Sequence, residues 1–353
     1  MAKKKRKSKP AAKKAVKVKP KPRKPKARPK KTTPKRRTSA VREASPSAAP
    51  AAGRDERTAM SKIGRDERTA MSKVREISAK KIADTVARLS MEANFDLEED
   101  VLKALRSGKG AESSPVGKEI FCQLLENADI ARAERMPICQ DTGLAVVFVD
   151  VGQDAHVVGG ALDEAINEGV RRGYTEGYLR KSVLGDPLKR VNTKDNTPAV
   201  IHTRIVPGNK LKLWVVPKGG GSENMSKIAM LKPADGIEGV KKFVVEVVRV
   251  ASANPCPPII VGVGIGGSFE QCAMNAKRAL LREVGSRHPD EYYEALENEL
   301  FQKVNDTGIG PMGLGGRITA LAVHIVAAPC HIASLPVAVN INCHAARHKT
   351  AVL

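Results

Sequence analysis

Apolar residues first fall into register near Val74. Ile82, Val86 and Leu89 recur at the three-to-four-residue interval of a one-sided helix, and Val101, Leu102 and Leu105 do so again after the acidic stretch 96–100. The spacing predicts a third helix over 118–133, with Ile120, Leu124, Leu125 and Ala128 turned inward, and Pro137 closes this helical region. The period then changes. Residues 144–151 form a β-rich apolar run, and the pattern predicts strands at 199–206 and 211–216 around the turn at Pro207, Gly208 and Asn209. Helices are expected at 161–172, 236–252, 268–284 and 290–304, a buried strand at 257–263, and closing strands near 317–326 and 336–341. This order reads as a mixed α/β body: an N-terminal helical part, then mixed sheets with helices.

The segment before this body has nothing to bury. Residues 1–52 are dominated by Lys, Pro, Ala and Thr and are expected to be a disordered basic tail. Residues 53–74 read as a linker, because the run from Gly53 to Lys62 repeats without change from Gly64 to Lys73, too short a duplication for a solenoid. Met60 and Met71 both stand where translation could begin. The expected domain is therefore 75–353.

Charge sharpens the division. The 353 residues carry a net charge of +23, from 61 Lys and Arg against 38 Asp and Glu. Residues 1–50 hold 21 of those basic residues and a single acid, Glu43, so the body is nearly neutral. Nonspecific binding of polyanions is thus expected of the tail alone, and without aromatic residues it has no means of stacking on bases. No apolar run reaches the ~18 residues that a membrane helix needs, and no apolar leader marks secretion. The expected compartment is the cytoplasm.

Six cysteines spread over more than half of a large chain do not suggest a disulfide scaffold. Cys122 and Cys272 fall inside amphipathic helices and read as small core residues. Cys139, Cys256 and Cys343 each fall at a junction between elements, where side chains can converge. Three convergent thiolates do not complete a tetrahedral zinc site, but they suit three irons of a cubane cluster. Spacing alone leaves cluster ligands and unliganded buried cysteines both open. Cys330 adjoins His331, which lies in a loop between two strands and is the best-placed histidine for an anion. His202 and His324 read as structural strand residues.

Two patterns are weaker than they look. Gly262, Gly264 and Gly267 satisfy the dinucleotide fingerprint, but no acidic residue ends a following parallel strand, so tight strand-to-helix packing explains them better. Asp-Thr-Gly occurs at 141–143 and again at 306–308, outside the all-β setting of an aspartic protease. Lys218 followed by Gly219, Gly220 and Gly221 sits after a strand, where backbone amides can crowd an anionic oxygen.

Taken in order, the segments 137–143 (Pro-Ile-Cys-Gln-Asp-Thr-Gly), 218–226 (Lys-Gly-Gly-Gly-Ser-Glu-Asn-Met-Ser), 254–258 (Asn-Pro-Cys-Pro-Pro) and 261–267 (Val-Gly-Val-Gly-Ile-Gly-Gly) resemble the alpha subunit of class I fumarases. The L-tartrate dehydratase alpha subunit is the close alternative, with a mesaconate-type hydratase beside it. The resemblance covers the body from about Ile77 onward. It implies a [4Fe–4S] cluster held by Cys139, Cys256 and Cys343. It also implies that Gln140 and Asp141 face a dicarboxylate substrate, that Arg180 and His331 bind its carboxylates, and that Gly219 or Gly220 supplies an amide contact. Asp141 and His331 are the expected catalytic residues. The reaction it implies is the reversible hydration of fumarate to (S)-malate. In that family the proton-abstracting group belongs to a second half, so a separate beta subunit and a hetero-oligomer are expected here.

Overall fold

The structure, a computed structural model, describes residues 74–353; the expected tail, and the expected linker apart from Val74, lie outside the described residues. A four-residue strand, β1 (Arg75–Ser78), precedes the helical part. Three helices follow: α1 (Ala79–Phe95), α2 (Glu99–Ala111) and α3 (Pro115–Glu134). Local chemistry sets their ends. The Ser78 hydroxyl accepts from the Lys81 amide at 3.2 Å and the Ser114 hydroxyl from the Gly117 amide at 3.2 Å, with Pro115 in the first turn. Helix α3 stops before Pro137, at Arg135, whose φ of +51° is left-handed.

The rest alternates. In chain order come β2 (Leu144–Gly152), β3 (Ala155–Val158), α4 (Leu162–Glu176), β4 (Val200–Val206), β5 (Leu211–Lys218), the single turn α5 (Gly220–Glu223) and β6 (Lys227–Leu231). Then follow α6 (Gly236–Ala251), β7 (Ile259–Gly266), α7 (Phe269–Ala279), α8 (Glu291–Asn305), β8 (Ala320–Ala328), β9 (Leu335–Asn342) and β10 (Lys349–Val352). The mixed α/β class is as expected. The strands on either side of Pro207 form as expected and are not hydrogen-bonded to each other. One sheet runs β10-β5-β2-β4, with β2 inserted between them, parallel to β4 and antiparallel to β5. A second sheet runs β6-β9-β7-β8, and β1 pairs β3 in a small parallel ribbon.

Alternation along β2 explains how the layers stack. Ala145, Val147 and Val149 face a core shared with Ile82, Val86 and Leu89 of α1 and Ile166, Val170 and Tyr174 of α4. Val146 and Phe148 face the other way, toward Met274 of α7 and Leu281 beyond it. Helix α7 also covers the second sheet, where Cys272 and Ala276 pack against Ala338. A Cβ on Gly264 would stand 2.1 Å from the Cys272 carbonyl oxygen and one on Gly262 2.2 Å from that of Ala276. The glycine fingerprint is therefore close strand–helix packing. On the opposite face of this sheet, α6 and α8 contribute Val244, Val248, Leu300 and Val304 to a second core. A third, built on α2 and α3 with Leu105 and Phe121, has Cys139 and Cys343 at its margin. No helix of the described residues is long and apolar enough to cross a membrane.

Candidate active site

Four loops meet beside the third core. The first follows α3. The Asn94 carbonyl accepts from the Ile138 amide at 2.9 Å, and the Asn127 side chain donates to the Ile138 carbonyl at 2.8 Å, which fixes the approach to Cys139. The Asp141 carboxylate then closes its own turn, accepting from the Gly143 amide at 2.9 Å. From below, the Tyr174 hydroxyl reaches the Thr142 carbonyl at 2.8 Å and the Gly143 carbonyl at 3.1 Å. The buried Asn196 donates to the Gly143 carbonyl at 3.3 Å and accepts from the Ser182 and Val183 amides at 2.7 and 3.2 Å.

The glycine loop lies against this turn. The Gly220 amide donates to Asp141 Oδ2 at 2.7 Å, so the carboxylate is fixed between two backbone amides. Behind it Lys218 is 1% exposed, and its ammonium donates to Ser222 Oγ at 2.9 Å and the Ile341 carbonyl at 2.8 Å while standing 3.2 Å from Glu223. Burial pulls the Lys218 ammonium down to about 8, against the attraction of Glu223. Glu223 also pairs with Lys277 at 2.5 Å; despite its partial burial, Lys218 and Lys277 hold it down at about 2.

Cys256 occupies the third loop, in a left-handed conformation with φ +53°. Its carbonyl accepts from the His344 amide at 3.4 Å and lies 3.1 Å from the His344 ring, which ties this loop to the fourth, where Cys343 follows β9. Arg347, 3% exposed, completes the closure by donating through Nη2 to the Asp141 carbonyl.

Two of the three thiols are perturbed. Desolvation raises Cys256 first, and the proximity of Cys343 and Cys139 raises it further. Burial raises Cys343; Arg347 and Lys218 oppose that, and Cys139 adds to it. Among the described residues no three His, Cys, Asp or Glu side chains close on a single metal ion. Three thiolates from separate loops are a donor set that a polynuclear group can use. The donor set is all sulfur, at the edge of an apolar core, with the cations Lys218 and Arg347 nearby, and so fits an iron–sulfur cluster.

Residues 83–352 match the family described as Fumarate hydratase (Fumerase). The chain belongs to the fumarate hydratase family. It is therefore a hydro-lyase polypeptide, as its motifs suggested. Similar proteins include the putative L(+)-tartrate dehydratase subunit alpha of Methanocaldococcus jannaschii, 45% identical over 275 residues that cover 76% of this chain and 95% of that protein. The L(+)-tartrate dehydratase subunits alpha of Escherichia coli strain K12 and Shigella sonnei are each 34% identical over 280 residues, covering 78% of this chain and 92% of theirs.

Within this fumarate hydratase family chain the expected residues fall into two groups. Cys139, Gln140, Asp141, Gly219, Gly220, Cys256 and Cys343 lie on the meeting loops; the Cys139 thiol donates to Gln140 Oε1 at 3.2 Å. Arg180 is latched to the same place through its backbone, its amide donating to Thr142 Oγ1 at 2.9 Å, while the residue itself is exposed. His331 lies apart in the exposed β8–β9 connection, where its Nδ1 accepts from the Ala333 amide at 3.1 Å. Cys272 is fully buried, as expected of a core residue, and Asp306 of the second Asp-Thr-Gly caps the end of α8. His202 stacks on Phe148 at 5.0 Å, and His324 is buried in β8; both are structural.

Sequence reasoning missed Arg347, Tyr174 and Asn196, and named Lys218 only as the head of the glycine loop. Lys218 carried a signal, a charge ending the apolar run of β5 just before the glycines. Asn196 and Tyr174 carried none, because their partners lie 53 and 32 residues away.

Proposed function

We propose that residues 75–353 form the cluster-bearing alpha-type subunit of a hydro-lyase that interconverts fumarate and (S)-malate, completed by a separate beta-type chain. The observation that carries this reading is the meeting of the loops that bear Cys139, Cys256 and Cys343, tied by the contact of His344 with the Cys256 carbonyl and of Arg347 with the Asp141 carbonyl, beside an Asp141 carboxylate held by the Gly220 amide. These thiolates would hold a [4Fe–4S] cluster. When bound, the cluster supplies a Lewis-acid iron that makes hydroxide a better leaving group from C2 of malate.

The chain's own residues do the rest. Gln140 and Asp141 flank the substrate, and the two amides on Asp141 keep its carboxylate oriented. Arg180 neutralises a substrate carboxylate, which also stabilises the negative charge that develops as the C3 proton leaves; His331, apart in the β8–β9 connection, has no part in this clamp. Gly220 is engaged with Asp141, so Gly219 is the better placed of the pair for a substrate contact. The base that accepts the C3 proton belongs to the partner.

A second reading, dehydration of L-tartrate, is favoured by the names of the similar alpha subunits. Both readings share the cluster, the partner and the dicarboxylate clamp. Anaerobic reconstitution of the full chain with its partner, assayed on fumarate, (S)-malate and L-tartrate, separates them by kcat/KM. Single Cys139→Ser, Cys256→Ser and Cys343→Ser variants are expected to lose cluster iron and sulfide. A triple variant that binds them as wild type does overturns the reading.

A further inference from the structure

Among the described residues Arg347 is a buried cation with two unpartnered donors. It is 3% exposed, and of its three guanidinium nitrogens only Nη2 has a partner, the Asp141 carbonyl; Nε and Nη1 are buried with no acceptor. A buried cation with idle donors is costly unless an anion joins it. The other charged side chains of this site are differently placed. Lys218 is spent on Ser222, Ile341 and Glu223, and Glu223 on Lys218, Lys277 and Asn340.

Its position says which anion. Arg347 stands four residues beyond Cys343 and is bonded to a carbonyl two residues beyond Cys139, so the guanidinium is pinned between the first and third thiol loops. We propose that Arg347 is the resident counter-charge of the three-thiol centre, its idle N–H groups donating to the sulfurs of the bound cluster. This rests on the cluster reading above and adds to it a residue and a role. Three thiolates on an iron–sulfur core leave a net negative group, and hydrogen bonds and positive charge beside the sulfurs are what set its potential. The same guanidinium ties the Asp141 turn to the Cys343 loop, so loading the cluster would also stiffen the substrate-facing carboxylate.

The test uses the full chain with its partner subunit, reconstituted anaerobically, as wild type, Arg347→Gln and Arg347→Lys. The first readout is the one-electron midpoint potential of the cluster. Losing the charge disfavours the reduced, more negative state, so Arg347→Gln is expected near 59 mV lower, the one-electron equivalent of a tenfold change in the relative stability of the two states. Arg347→Lys keeps the charge and is expected to recover most of that shift. The second readout is iron release to a chelator, expected to be about tenfold faster in Arg347→Gln. Wild-type potential and retention in Arg347→Gln would assign the idle N–H groups to trapped water and overturn the inference. Should that variant fail to fold, a shift of the same size in Arg347→Lys would overturn it equally, because charge would then not be the determinant. A wild-type chain that takes up no cluster would instead refute the cluster reading itself, and this inference with it.

Discussion

Gly143 is where the cysteine loop, the Asp141 carboxylate and the first sheet are joined, and replacing it with alanine should disturb all three. Its φ is +72°, and a Cβ there would stand 2.6 Å from both the backbone N and C of Lys218 and 2.7 Å from its O. The left-handed conformation costs an alanine about 1–2 kcal/mol. The collision is with backbone, so it cannot be relieved by turning a side chain; forcing β2 and β5 apart adds about 1–3 kcal/mol. Gly143→Ala should therefore destabilise the chain by about 2–5 kcal/mol. Gly159 provides the comparison: its φ is +78°, but a Cβ there meets nothing within 4 Å, so Gly159→Ala should cost only the conformational part, about 1–2 kcal/mol. Trp214, the single tryptophan, lies on β5 opposite Phe148 of β2 and reports directly on this strand pair. Urea titration followed by tryptophan emission measures both variants. Separating the strands also draws Asp141 from the Gly220 amide at 2.7 Å, so turnover by the assembled enzyme should fall beyond what instability explains. Equal losses in the two variants would refute the argument from close approach.

Two further outcomes test the supports of the site. Tyr174→Phe leaves the buried Thr142 carbonyl without its 2.8 Å donor and should cost about 1–3 kcal/mol in the same titration; a cost near zero would mean that the hydroxyl does not hold the loop. Lys218 makes an alkaline prediction. The folded chain gives up this proton near pH 8, whereas the unfolded lysine keeps it to about 10.5. The unfolded state thus binds more protons in that window, and stability should rise with pH across it, by up to about 3 kcal/mol. Lys218→Met should lack that rise, and an identical pH profile in the two proteins would contradict the assignment.

The legible part of the fold is the part held by local patterning. Helices α1 to α3, α6 and α8 show one-sided apolar spacing, and β2 and β7 show dense β-branched runs; burial of Ile82, Val86, Leu102, Leu105, Val147 and Val261 follows directly. Strands β1, β3, β6 and β10 were not legible, and their composition explains why. Arg75–Ser78 and Lys349–Val352 mix charge with short apolar stretches and exist because a distant partner accepts them, β3 for the first and β5 for the second. The two strands expected around Pro207 both form, but their partner was not legible: each pairs with β2, which lies between them.

The site divides along a different line. Chemistry that is rare and sits at junctions announces itself: three cysteines at element ends, an Asp-Thr-Gly turn and a run of glycines could each be picked out from residue type and position. What orients that chemistry is common and distant. An asparagine, a tyrosine and an arginine look like any others until the fold puts Asn196 under Gly143, Tyr174 under Thr142 and Arg347 against Asp141. Burial then distinguishes them, because a polar group withdrawn from water must find a partner or await one. Asn196, Tyr174 and Lys218 have found theirs within the chain. Among the described residues Arg347 has found only the Asp141 carbonyl, and Cys343, four residues before it, is close enough to feel its charge.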